Sequence, residues 1–321
     1  MHNKQSIIKS KARMTSKQMP RINGNYLNYI KLLSRKEILI LVLVALSTAI
    51  NGYTVFRNII QAQIGYGGGA IKTTALFPIF LCLITIGKAV NIKTGKKPWL
   101  ILCAAAFTMM IFFSGLSGIA AMASTPHTRI DASLEKFDLA MHFNLAATMN
   151  WINNGHDRIL SISNFAYHSW LWQLLLLPTV ITVIGSYKRV ITYMLGFTIA
   201  CAIGGGIYYF WPTTAPATVV HSHYFTQDQY NLVKDFIMMR QGATKLLPTE
   251  GLISFPSFRV IGAVLFMILC WKNKIILIPI VVLNLILIYA TLALGYHYLA
   301  DVLAGIIIAV FSYYISSKIK Y

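Results

Sequence analysis

Acidic residues are scarce in this sequence. Nine Asp and Glu stand against 28 Lys and Arg, and charged residues make up only 12% of the 321 positions. A soluble domain carries about twice that fraction of charge, so a water-soluble globule is excluded. Cysteine is equally sparse: Cys82, Cys103, Cys201 and Cys270 fall inside apolar runs with no paired spacing. That excludes a disulfide framework and a thiolate metal centre, and leaves them as small core residues. The glycines of IGYGGGAIK lack phosphate-loop spacing and read as an external turn. Fixed-period repeats and low-complexity tracts are absent.

Apolar sequence fills the chain instead, at 56% hydrophobic residues and a mean hydropathy of +0.62. Runs near the roughly 20 residues that cross a bilayer fall at about 38–56, 73–91, 99–122, 160–185, 190–211, 258–271, 275–294 and 299–317. The expected fold is all-α, an integral, multi-pass membrane helix bundle of about eight spans.

The net charge of +19 is placed on one side of those spans. Basic residues from Lys4 to Lys36 precede the first run. Lys88, Lys93, Lys96 and Lys97, then Lys188 and Arg189, Lys272 and Lys274, and Lys318 and Lys320 follow the second, fourth, sixth and eighth. The positive-inside rule then puts both termini in the cytoplasm. Such a distribution orients a chain in anionic lipid and argues against a nucleic acid partner. Apart from Glu37, the acids (Asp131, Glu135, Asp138, Asp157, Asp228, Asp235, Glu250, Asp301) sit in or beside the opposite loops. The basic segment before the first run is unlike a cleaved signal, so that run is expected to stay as an anchor. An interfacial helix is expected near 26–33.

Two outward loops are long enough to be functional. The segment 124–159 places Leu134, Phe137, Leu139, Met141 and Phe143 on an amphipathic pattern, as expected of a helix on the membrane surface. The other loop runs over 212–257.

Ionisable groups at the mouth of an apolar span are costly, which makes them site candidates. Ser254, Pro256, Ser257 and Arg259 open the sixth run; His297 and Asp301 open the eighth. A spacing of four puts His297 and Asp301 on one helical face, where a carboxylate holds one imidazole nitrogen and frees the other. Spacing alone leaves a structural pair and a catalytic pair both open. Pro256 suits a first helical turn and Ser254 or Ser257 its cap, with free amides there able to meet an anion. An ordinary helix start fits the same residues.

SFPSF opening one span, followed about 40 residues later by GYHYLADVLAG opening another, resembles the type-2 phosphatidic acid phosphatase superfamily. The likeness is greater to its inositolphosphotransferase branch, which includes inositol phosphorylceramide synthases and many bacterial membrane proteins. YYFWPTTAP, DASLEKFD and AYHSWLWQ add to it, over roughly 125–316. The resemblance implies a phosphatase/haloperoxidase-like helical core in the C-terminal two-thirds, expected in a bacterial cytoplasmic membrane, and the charge distribution puts its active site on the outer face. With the apolar runs, this divides the chain into a basic cytoplasmic tail (1–37), three N-terminal transmembrane helices (38–122) and the phosphatase-like or inositolphosphotransferase-like domain (123–321).

The resemblance also implies roles. His297 attacks phosphorus to give a phosphohistidine, Asp301 orients it, and Ser257 binds phosphate. Neither a cofactor nor a metal is implied; the partner is a membrane lipid within the bilayer. Where the family has an acid histidine two residues after that serine, this chain has Arg259. A guanidinium stays protonated and cannot deliver a proton, and general acid catalysis contributes about 10² to 10⁴ in rate. It can clamp phosphate oxygens instead. The family's arginine six residues before the histidine is replaced by Thr291. Arg240 and Lys245 are candidate replacements for missing positive charge, and His221 and His223 for the missing acid; a solvated loop is the plainer reading of all four. The expected function is a lipid phosphatase or phosphotransferase acting on a phospholipid or polyprenyl (pyro)phosphate, weakened by Arg259. The alternative is a catalytically decayed lipid-phosphate binding or transport protein. A transporter lined by buried charge fits less well, since apart from Lys88 and Asn284 the spans are nearly clean.

Overall fold

The structure, a computed structural model, describes residues 35, 36, 38–40, 42, 43, 46, 125–184, 186–240 and 254–320. The expected interfacial helix at 26–33, most of the first span, the spans at 73–91 and 99–122, the glycine-rich turn, Cys82, Cys103 and Lys245 lie outside the described residues.

Among the described residues the fold is helical, with no strand. Helices α1 (Asp131–Ala140) and α2 (Leu145–Asn153) are followed by α3 (Asp157–Val183) and α4 (Tyr187–Phe210). A short 3-10 turn at Pro216–Thr218 leads to α5 (Gln227–Arg240). Helices α6 (Phe258–Cys270), α7 (Lys274–Ala293) and α8 (Leu299–Lys318) complete the bundle.

Helix α6 is the hub, packing against α3, α4, α7 and α8, while α4 and α8 pair along their length. Val190, Phe197, Ile261, Leu265, Phe266 and Ile308 fill the space between them. The close approaches need small residues: a Cβ at Gly204 would stand 2.7 Å from the Phe258 ring, and one at Gly262 2.3 Å from the Trp170 indole nitrogen. Large apolar side chains also face outward, with Ile275 at 91%, Ile307 at 67% and Ile278 at 65% exposure. A patch of this kind is unfavourable in water and natural against hydrocarbon.

Helices α4, α7 and α8 are long and apolar enough to cross a membrane, which makes this a membrane protein. The ends of α3, α4, α6, α7 and α8 fall within three residues of the expected apolar runs. At 13 residues, α6 extends only about 20 Å, short of the roughly 30 Å of hydrocarbon. Its role is the centre of the bundle.

The amphipathic segment departs from expectation. It forms two helices, divided at His142 (φ 58°), a conformation open to histidine in turns. Of the five apolar residues in the pattern only Leu134 is buried, and Phe137, Leu139 and Met141 are exposed. The buried polar side of α1 is instead Asp131 and Asp138.

Candidate active site

Helix α6 begins at Ser257, whose hydroxyl accepts the Val260 N–H at 3.3 Å as an N-cap. The cap leaves the amides of Phe258 and Arg259 ahead of the first intrahelical bonds, at the positive end of the helix dipole. Helix α7 ends in a Schellman turn: Gly295 N–H reaches Leu292 O at 2.8 Å, and Tyr296 N–H reaches Thr291 O at 3.1 Å. Gly295 sits at φ +76°, the left-handed conformation that this turn requires. The Thr291 carbonyl also accepts the His297 N–H at 3.0 Å. The residue expected to be a phosphate ligand in relatives thus serves here as a backbone anchor.

This turn delivers His297 onto Ser257. Its Nδ1 lies 3.0 Å from the Ser254 carbonyl and 3.2 Å from Asp301 Oδ2. Both are acceptors, so Nδ1 carries the ring proton and Nε2 keeps its lone pair. Nε2 stands 3.2 Å from Ser257 Oγ. Asp301 Oδ2 also accepts the Ser254 hydroxyl at 2.5 Å and the Tyr298 N–H at 2.9 Å. Ser254, Ser257, His297 and Asp301 are all buried. A cation formed on this ring has a carboxylate waiting for it.

Arg259 is half-buried, its guanidinium 3.9 Å above the centre of the Tyr167 ring. Tyr167 stacks on Tyr296 at 4.4 Å, next in sequence to His297. Arg259 is therefore connected to the site through two rings, and no carboxylate pairs with it among the described residues.

The remaining candidates are not brought together. His221 and His223 are exposed, and the His223 ring packs on its neighbour Tyr224 at 3.9 Å. Arg240 ends α5, and its side chain lies outside the described residues, as does Lys245. A cavity of about 370 Å³ opens beside Asp131, lined by Thr128, Arg129, Ala132, Thr218 and Val219, none of them a candidate from the sequence.

Sequence reasoning missed the extended segment after α4. Pro212 O accepts the Ile130 N–H at 3.0 Å, and Thr213 Oγ1 accepts the Phe255 N–H at 2.9 Å. Thr214 N–H donates to Asp131 at 3.1 Å, and Ala215 O receives the Tyr298 hydroxyl at 3.4 Å. Four consecutive residues tie α1, the serine loop and the start of α8 into one unit. Their only sequence signal was the motif WPTTAP itself.

An all-helical membrane bundle with a buried His–Asp pair facing a helix-capping serine defines a class of histidine-centred membrane site. A family model described as the PAP2 superfamily matches residues 132–315, and the chain belongs to that superfamily. Its members are generally phosphatases, and membership supports a phosphatase-like function toward lipid phosphate. No curated protein and no solved structure matches the chain.

Proposed function

We propose that this protein is a membrane lipid phosphatase or phosphotransferase that acts on a phospholipid or polyprenyl (pyro)phosphate through a phosphohistidine on His297. The observation that carries this reading is His297 Nε2 facing Ser257 Oγ at the start of α6, with Asp301 and the Ser254 carbonyl behind Nδ1.

In this reading the substrate phosphate sits between Nε2 and the start of α6. Ser257 and the Phe258 and Arg259 amides meet its oxygens, and the Arg259 guanidinium clamps them. The Nε2 lone pair attacks phosphorus; a P–N bond forms as the P–O bond to the leaving group breaks. Nδ1 keeps its proton, and Asp301 stabilises the charged ring. The departing oxygen takes its proton from water, because Arg259 has none to give. Water or a hydroxyl acceptor then attacks phosphorus, the P–N bond breaks, and the acceptor's proton passes to solvent. Positioning and electrostatics dominate phosphoryl transfer, so chemistry without an acid is slow rather than absent. A pyrophosphate leaving group suffers least.

The same reading places the chain in the inositolphosphotransferase branch, with about eight spans, the domain division at 37 and 122, cytoplasmic termini and an outward site. The test is turnover by purified protein on phosphatidate, a polyprenyl pyrophosphate and a chromogenic phosphodiester. Turnover is expected, greatest on the pyrophosphate, and abolished by His297→Ala. Arg259→His is expected to raise the phosphatidate rate, by up to the roughly 10²- to 10⁴-fold that a general acid supplies. Phosphate binding without turnover in the wild type would overturn the enzymatic reading in favour of a decayed binder.

A further inference from the structure

Two carboxylates that take no part in the chemistry above are buried all the same. Asp131 and Asp138 are each only 3% exposed, and a spacing of seven puts them on one face of α1. Both end on the backbone that carries the histidine. Asp138 Oδ2 accepts the Leu299 N–H at 2.7 Å, and Oδ1 accepts the Ala300 N–H at 3.1 Å. These are the first two amides of α8, which have no partner within the helix. Asp131 accepts the Tyr298 hydroxyl at 3.3 Å and the Thr214 N–H at 3.1 Å. Every residue between His297 and Asp301 is thereby held by a carboxylate from a helix far away in sequence.

Burying a carboxylate is costly unless charge-assisted hydrogen bonds offset it. Burial pushes Asp131 up to about 6, against the pull of the Thr214 amide and of Arg129; Tyr298 and Asp301 face it from α8. Asp138 is raised by burial too, against the Leu299 and Ala300 amides, with Asp301 and Glu135 as its charged neighbours. A chain that keeps two such groups in place uses them to fix something.

Resting on the phosphohistidine reading, we propose that Asp131 and Asp138 are positioning residues for His297. Helix α1 is a strap across the start of α8. Asp301 orients the imidazole ring directly, and the strap fixes Tyr298, Leu299 and Ala300, the backbone from which both His297 and Asp301 project. Small displacements of a nucleophile are expensive: about 1 Å can cost on the order of 10²-fold.

The test uses the full chain in detergent micelles with ¹⁵N-labelled histidine, His297 being assigned by its loss in His297→Ala. Wild type is expected to show a single Nδ1–H tautomer at pH 8, and Asp138→Ala a mixed one. With dioctanoyl phosphatidate, kcat in Asp138→Ala falls roughly 10- to 100-fold while KM stays within about twofold. Asp138→Asn recovers part of the loss, because its amide oxygen still accepts one N–H, and it carries the test if the alanine variant does not fold. Glu135→Gln, on the same helix, leaves kcat unchanged. An unaltered tautomer and unaltered kcat in both Asp138→Ala and Asp131→Asn would overturn the strap. Absence of wild-type turnover on every lipid would instead sink the phosphohistidine reading, and the tautomer comparison would still decide whether α1 positions the ring.

Discussion

Asp131 shows how a single residue trades stability for placement. Its carboxyl is pushed up to about 6 in the folded chain, from an ordinary value of 3.8, chiefly by burial. The folded state therefore holds that proton more tightly than the unfolded chain does. From about pH 4 to pH 6 stability falls as pH rises. Above that window the ionised side chain costs on the order of 3 kcal/mol relative to its protonated form. Asp131→Asn keeps the shape without the charge. Its thermal midpoint in detergent is expected to exceed that of wild type at pH 8, with the gap closing towards pH 4. An equal difference at both pH values would show that the charge is not its source. Arg259 makes the opposite use of charge: it is permanently cationic and, among the described residues, rests on the Tyr167 ring with no carboxylate paired to it.

At the scale of elements, the site is where two helix starts meet, and Gly305 sets how closely. A Cβ there would stand 2.9 Å from the Ser257 carbonyl oxygen and 3.1 Å from Val260 Cβ. The first of these is backbone and cannot turn aside, so Gly305→Ala must push α8 away from the cap of α6. Since His297 and Ser257 are carried by these two starts, kcat is expected to fall by about tenfold or more. Far-ultraviolet circular dichroism should show unchanged helix content. Retained activity in Gly305→Ala would mean that the two helix starts tolerate separation. The helices themselves were legible in the sequence, because apolar runs such as 275–294 and 299–317 leave no other low-energy structure in a bilayer. The approach of His297 to Asp301 was legible too, although His297 stands in the turn before α8 and not on a shared helical face, since α8 begins at Leu299. Asp131 and Asp138 were not. Acids seven apart on a short helix normally face water, and their partners lie 167 and 161 residues away. The apolar pattern gave no hint of them either, since Leu139 and Met141 beside them in sequence are exposed while the acids are covered.

For the whole molecule, the two ends of the bundle differ in chemistry. One end collects Ser257, His297, Asp301 and the strap α1; the other carries Lys188, Arg189, Lys272 and Lys274 at the turns between α3 and α4 and between α6 and α7. Exposed isoleucines on α7 and α8 lie between them. In the proposed topology, which follows the positive-inside rule, the basic end faces the cytoplasm and the site faces the outer leaflet. The described thiols, Cys201 and Cys270, are free and lie within the bundle helices, and in a background with all four native cysteines replaced by serine the added ones can be read singly. Gln227→Cys, at the exposed start of α5, should react with a membrane-impermeant maleimide in intact cells. Lys272→Cys, in the exposed turn after α6, should react only once the membrane is opened. The reverse pattern would place the site on the cytoplasmic side, where its lipid phosphate would have to come from the inner leaflet.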